Sequence, residues 1–570
     1  MPVWQSDPYH NIINSLKVFL NIDKYPGLIT MEKIIFENEF TYKKFMESGK
    51  ESEFDNLFDS AVKKVKSEFG AKHPLFIGGQ EVFSTELLSE RSPINGTIIG
   101  YFQKGTREHA KAAVAEAKKA FAKWKQTGYK ERAKIFLDAA TLFSKNKFEL
   151  AAILSYENAK SRYESMGEVD EAIDFMRYYS VEILSNKGFS RKTKMPQSSV
   201  TVSAGFQGAP SDMEKVIIEM KPYGVFGIIA PFNFPISISV GMSVGAMITG
   251  NTVVFKPSST DNMSMLTGYK IYSLLKLAGV PDGVFNYLTG PGSEVGDELV
   301  SNPDVSGIAF TGSKGVGLGM ISKTYAAGHQ KVFVVEMGGK NPAIVSKYAN
   351  IDDAATGVAS AAFGFSGQKC SALSRVYVHE SVKDIFISKL IEKTRNMQVG
   401  NPLEKRFYTG PLISENAYKV YVDSVEEIKK SGRILYGGER VVSQESGFYV
   451  EPTIADLKHD NKLFSKELFV PILLIDTFKT IGEALQKANG TEYGLTAGLY
   501  SKNKKEIREF TDGIEAGTIY VNRRISATTG AMVGLHTFVG WKGSGLTGKG
   551  TGSKFYLQQF MHEQSISVTQ

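Results

Sequence analysis

No charged residue occurs between Lys221 and Lys256, and this stretch constrains the fold more than any other. It exceeds the ~20 apolar residues that a bilayer-spanning helix needs. Pro231, Asn233 and Pro235 interrupt it near its start, and Gly241, Gly245 and Gly250 follow. Prolines this close together break a helix. The run therefore divides into a strand (VFGIIA, 225–230), a turn, a helix with Pro235 in its first turn (PISISVGMSVGAMITG, 235–250) and a second strand (NTVVFKP, 251–257). It reads as the buried part of an α/β core, not as a membrane span.

The alternation continues on both sides. MSMLTGYKIYSLLKLAG (263–279) is an amphipathic helix closed by Gly279. VFNYLTG (284–290), GIAFTG (307–312) and KVFVVEMGG (331–339) read as strands, with SEVGDELVSN (293–302) as a helix among them. AIVS, a helix from Asp352 to Gly364, RVYVHE and a helix near 382–397 follow. Strands and helices in turn imply βαβ units on a parallel sheet. Residues 104–179 carry apolar positions at three- and four-residue steps, so helices precede the alternating region. Residues 198–220 alternate polar and β-branched side chains, which suggests strands, as does the tail QSISVTQ. A lone terminal strand pairs with another element or another subunit. The first 60 or so residues are aromatic-rich and helical in pattern, with no chemistry evident. A chain of 570 residues calls for two or three domains.

A single cysteine, Cys370, excludes an intramolecular disulfide and every multi-cysteine metal site; no metal is expected. It fits a reducing compartment. The start MPVWQSDPYHNIINSLK lacks the charged and apolar regions of a secretory signal, so a cytoplasmic protein is expected. The net charge of +7 is spread over 67 basic and 60 acidic residues without a Lys/Arg block, so neither nucleic acid nor membrane is an expected partner.

Five short stretches can carry chemistry. In FSGQKCSALSR (365–375) the cysteine follows a flexible Gly-Gln-Lys near the end of a helix. A thiol attacks carbonyls as its thiolate, which positive neighbours or backbone N–H groups favour, and Lys369 is adjacent in sequence. A lone cysteine is otherwise a small buried hydrophobe. In VVEMGGKNP (334–342), Glu336 ends an apolar strand, where α/β sheets bind ligands, and partial burial would make it a usable base. In GIIAPFNFP (227–235), Asn233 is a rigidly held amide suited either to an oxyanion or to capping the next helix. In FKPSS (255–259), Lys256 follows a strand and can reach a ribose hydroxyl or phosphate. FTGSKGVG (310–317) is a strand, a Gly-rich turn and a helix, an arrangement that offers N–H groups to an anion, although its spacing is not G-x-G-x-x-G.

Taken together, PFNFP, KPS, FTGS, EMGGKNP, GQKCSA, SKELFVP and YVNR occur in an order that resembles the aldehyde dehydrogenase superfamily over roughly residues 60–565. Glu336 and Cys370 stand at an interval that looks like the family's usual one. The resemblance implies an α/β fold with a Rossmann-like cofactor domain, an α/β catalytic domain and a small β oligomerisation arm. The expected boundaries are an N-terminal helical extension at 1–60, cofactor domain at 61–195 and 216–335, catalytic domain at 336–515, and arm at 196–215 and 545–570. It also implies roles: Cys370 as nucleophile, Asn233 and the Cys370 N–H as oxyanion donors, and Glu336 as base for thioester hydrolysis. Lys256, Ser259, Phe310, Thr311, Gly312, Ser313, Glu467 and Phe469 are expected to line NAD or NADP. The partners it implies are a small aldehyde and further copies of the chain, joined through the C-terminal strand.

Three stretches resemble the branch that oxidises glutamate γ-semialdehyde (1-pyrroline-5-carboxylate) to glutamate in proline breakdown. They are SYENAK…GEVDEAIDFMRYYS (155–180), FSGQKCSALSR and TGAMVG (529–534). Ser371, Gly530, Ala531 and Phe538 then become substrate-binding residues, with small side chains and backbone N–H groups forming a carboxylate nest. The chain departs from that branch at NRRISATTGAMVG, which carries extra residues, and at Thr537–Gly540, Val470 and Lys466. Ser259 stands where NAD-preferring members often carry an acid, which would remove repulsion against a 2′-phosphate. Another semialdehyde substrate, such as succinate semialdehyde, and a catalytically silent homologue are the open alternatives.

Overall fold

A computed structural model gives the fold; the residues described are 36–37, 39–195, 214–259, 263–442, 445–524 and 532–569. Local signals place the helices. Arg107–Trp124 starts at a capping box in which the Thr106 hydroxyl and the His109 ring each satisfy a backbone N–H, and its Ala110, Ala113, Val114 and Ala117 form the buried stripe. Tyr129–Lys145, Lys147–Asn158 and Arg162–Ser185 follow, matching the helical periodicity of residues 104–179. Among the described residues no helix is long and apolar enough to cross a membrane.

The uncharged stretch folds as strand Val225–Ile229, helix Ser237–Ile248 and strand Thr252–Lys256, nearly all of it buried. The helix begins two residues after Pro235, and the N–H groups of Ile236 and Ser237, which have no partner within the helix, are capped by the Glu168 carboxylate. Five strands pair in parallel in the spatial order Val332–Glu336, Val305–Thr311, Val225–Ile229, Thr252–Lys256, Phe285–Tyr287. Numbered along the chain this is 5-4-1-2-3, the doubly wound order of a dinucleotide-binding sheet without its sixth strand. The hairpin Leu75–Ile77/Gln80–Val82 adds two antiparallel strands at one edge.

A second sheet runs Arg433–Tyr436, Thr453–Asp456, Ile472–Phe478, Leu373–His379, Asn341–Val345, Thr496–Tyr500, Thr518–Val521, parallel except for its first pair. The tail strand Met561–Thr569 pairs along its length with Glu214–Pro222 of the same chain, which also pairs with Ser190–Met195. Three elements run across boundaries expected from the resemblance. Helix Glu51–Ser67 runs through residue 60, strand Glu214–Pro222 spans residue 216, and the second sheet extends past 515 to Val521.

Candidate active site

In the first sheet the strand order reverses between Val225–Ile229 and Val305–Thr311. The crevice outside the carboxyl ends of these strands is where doubly wound sheets bind ligands. A cavity of about 770 Å³ opens there. From the first sheet, Asn233, Lys256, Phe310, Thr311, Gly312 and Ser313 line it. From the second-sheet side come Gln368, Cys370, Glu467 and Phe469. Residues up to 236 apart in sequence, from Asn233 to Phe469, thus face one space.

Glu336 ends the edge strand of the first sheet, paired with Thr311, and its Oε2 is buried without a hydrogen-bond partner. Burial pushes its carboxyl up to about 8, against the pull of one N–H from Gly540. Two glycines follow it. A side chain at Gly338 would occupy the place of the Glu467 carboxylate, with Oε2 only 2.2 Å from the added Cβ. One at Gly339 would lie 2.4 Å from the Cys370 carbonyl oxygen. The E-x-G-G pattern therefore lets two functional segments close on the strand end.

Burial raises the Cys370 thiol, as do the charges of Glu467 and Glu336, to about 12; the N–H groups of Ser371 and Cys370 itself pull the other way. Lys369, next to it in sequence, forms an ion pair with Glu164 at 2.7 Å. Asn233 is buried and donates its Nδ2 to the Gln368 carbonyl at 3.2 Å. It does not cap the following helix, a task that Glu168 performs.

On the cofactor side, Ser313 is the N-cap of helix Lys314–Ala326, its hydroxyl accepting from the Val316 N–H. Lys256 is buried, and its Nζ donates to the Pro257 carbonyl at 3.3 Å and the Ser259 hydroxyl at 3.1 Å. Burial lowers it to about 8. A buried ammonium held only by neutral acceptors, beside a helix N-terminus, suits an anionic cofactor. Glu467 accepts the Gly339 N–H at 2.8 Å and is pushed by burial up to about 7. Phe469 stands edge-on to Phe232 with ring centroids 6.0 Å apart.

Of the expected residues that are described, Glu336, Ser259, Ser371 and Phe538 are not among those lining the cavity. Ser259 lies behind Lys256 and donates to the Gly290 carbonyl. Ser371, next to Cys370 in the chain, is buried. Phe538 sits in a bridge with Thr551. Gly530 and Ala531 lie outside the described residues. Sequence reasoning missed Gln368, Gly338 and the Ile413–Val420 face of the cavity. Gln368 was within a quoted motif, but no local signal marks its carbonyl as the partner of Asn233.

Residues 82–566 match the model of the aldehyde dehydrogenase family. The chain belongs to the aldehyde dehydrogenase family. This aldehyde dehydrogenase is 35% identical over 519 residues, 90% of its own length and 96% of the relative's, to a 1-pyrroline-5-carboxylate dehydrogenase of Geobacillus sp. (strain WCH70). It is also 35% identical to 1-pyrroline-5-carboxylate dehydrogenase 1 of Halalkalibacterium halodurans, covering 90% of this chain and 95% of that one. Among solved structures it is similar to the 1-pyrroline-5-carboxylate dehydrogenase from Thermus with bound NAD, with a TM-score of 0.82, 34% identity, and coverage of 90% and 96% of the two chains.

Proposed function

We propose that this aldehyde dehydrogenase oxidises L-glutamate γ-semialdehyde, in equilibrium with 1-pyrroline-5-carboxylate, to glutamate through a thioester on Cys370. The observation that carries the chemistry is the convergence of Cys370 and Asn233 on one cavity. The substrate assignment is supported by the names of the relatives and by the SYENAK, GQKCSA and TGAMVG stretches.

The Cys370 thiol, held protonated by burial in the resting site, gives its proton to Glu336 as the sulfur adds to the aldehyde carbon, and Glu336 releases that proton to solvent before hydrolysis. The Asn233 amide and the Cys370 N–H hold the resulting oxyanion; one such donor is worth about 3 kcal/mol. NAD or NADP, when bound, accepts the hydride that leaves the former aldehyde carbon. Lys256, the Ser313 helix N-terminus and Glu467 would hold that cofactor, with Glu467 facing the nucleotide as a hydrogen-bond acceptor. The C=O re-forms as a Cys370 thioester. Glu336 takes a proton from the attacking water, the C–S bond breaks, and the thiolate and the carboxylic acid are released. The α-carboxylate nest is proposed at Gly530 and Ala531, through backbone N–H groups; Ser371 and Phe538, which do not line the cavity, would reach the substrate only if their segments moved.

The protein works in the cytoplasm as a homo-oligomer joined through strand Met561–Thr569. One edge of that strand is paired with Glu214–Pro222, and the other has no partner strand among the described residues. Deletion of residues 561–570 gives a monomer in sedimentation; an unchanged oligomer refutes this part. Cell fractionation that leaves the activity outside the cytosol refutes the location.

The test of function is NADH formation with pyrroline-5-carboxylate, succinate semialdehyde and a simple aliphatic aldehyde, with Cys370→Ala as control. Pyrroline-5-carboxylate is expected to lead by orders of magnitude in kcat/KM, and the variant to be inactive. If another aldehyde leads, the substrate assignment is wrong while the chemistry stands.

A further inference from the structure

Lys160, the last residue of SYENAK, takes no part in the chemistry above, yet it lies beside both arms of the site. Lys160 and Glu168 pair with each other, and both side chains are 0% exposed. The same ammonium donates to the main-chain carbonyl of Asn233. Its Nζ lies 3.8 Å from the centre of the Phe234 ring and 4.7 Å from that of Phe365. Glu168 Oε1 accepts the N–H groups of Ile236, at 2.8 Å, and Ser237, at 3.3 Å. The turn carrying Asn233 is therefore held at its carbonyl end by the cation and at its amide end by the anion. Asn158 adds a bond from Nδ2 to the Phe232 carbonyl at 3.4 Å.

The same supports reach the nucleophile loop. Phe365, which stacks on the Lys160 ammonium, donates its N–H to Glu164 Oε2 at 3.1 Å, and Glu164 lies one helical turn before Glu168 on helix Arg162–Ser185. An ion pair fully removed from water seldom recovers its desolvation cost by Coulomb attraction, so apolar residues of similar volume would serve the core as well. What apolar residues cannot do is bind one carbonyl and two amides of a single turn.

We propose that Lys160 and Glu168 are positioning residues for the aldehyde oxidation: they fix the 233–237 turn so that the Asn233 amide is aimed at the oxyanion before the aldehyde adds. This rests on the role of Asn233 given above. An oxyanion donor is effective because it need not reorient during reaction, and a misplacement of about 1 Å costs on the order of 100-fold in rate.

The experiment compares wild type, the charge-balanced Lys160→Met/Glu168→Gln variant, Asn233→Ala, and the combination of all three. Single-turnover NADH formation, NAD affinity by fluorescence and the iodoacetamide alkylation rate of Cys370 are measured for each. The double variant is expected to keep its NAD affinity and alkylation rate while hydride transfer slows about 100-fold. Adding Asn233→Ala to it is expected to cost less than about 3-fold more, because residues acting through one group are not additive. Multiplying losses, or a double variant at wild-type speed beside a slow Asn233→Ala, overturn the proposal. A fast Asn233→Ala overturns the oxyanion assignment itself and the proposal with it. If the double variant fails to fold, Glu168→Gln alone, with and without Asn233→Ala, gives the same readout: a loss of about 10-fold is expected, and no loss in a folded protein refutes the proposal.

Discussion

Glu336→Gln separates the two consequences of burying a carboxylate at a strand end. Raising the carboxyl from its ordinary 4.5 to about 8 corresponds to a cost of about 5 kcal/mol for holding the ionised form in the folded protein, at most. Because the folded value lies above the unfolded one, the wild type is most stable below pH 4.5 with respect to this group. That stability is lost as pH rises, at about 1.4 kcal/mol per pH unit, until the group ionises near pH 8. Gln does not titrate. Its amide leaves a buried polar group unpaired, because Oε2 has no partner to offer, and this offset of about 1–3 kcal/mol is the same at every pH.

The unfolding free energy of the variant relative to wild type should therefore rise by about 2–3 kcal/mol between pH 6 and pH 8 and level off above. Thermal or urea unfolding across that range checks it, with Tm differences used where unfolding is irreversible. In the same protein, a stoichiometric burst of NADH should persist while steady turnover stops, and wild-type turnover should climb through pH 8. A stability difference that is flat with pH, or that shrinks as pH rises, refutes the reasoning.

Two further outcomes follow from the cofactor and nucleophile segments. Ser259→Asp places a carboxylate beside Lys256 Nζ, which stands 3.1 Å from the present hydroxyl; kcat/KM with NADP should fall about 10-fold or more relative to NAD, and an unchanged ratio rejects the idea that this position governs 2′-phosphate tolerance. Gly339→Ala would put a methyl 2.4 Å from the Cys370 carbonyl oxygen; a displacement of that loop by about 1 Å should slow hydride transfer on the order of 100-fold, and wild-type single-turnover rates would contradict the close-approach argument.

The sequence determined the elements. The uncharged, proline-broken run around Asn233 could only be strand, turn, helix and strand, and the period of apolar residues fixed the helices at 107–185. It also placed Glu336 at the end of a strand and Cys370 in a loop, since both follow from local runs and the glycines beside them. Tertiary structure decided the partners. Lys369 is adjacent to Cys370 along the chain, yet it pairs with Glu164, 205 positions away. Asn233, which could have capped its own helix, gives its amide to Gln368, and the cap comes from Glu168. The N-terminal segment, which showed no chemistry as sequence, contributes Glu37 to Arg177 and Lys147, and Thr41 to Asp170. Spacing along a chain fixes φ/ψ preferences and which face of an element is apolar, because these are properties of neighbouring residues. Which buried charge meets which depends on how separate elements pack, and a cation such as Lys160 is tolerable in the core only where distant acceptors happen to converge on it.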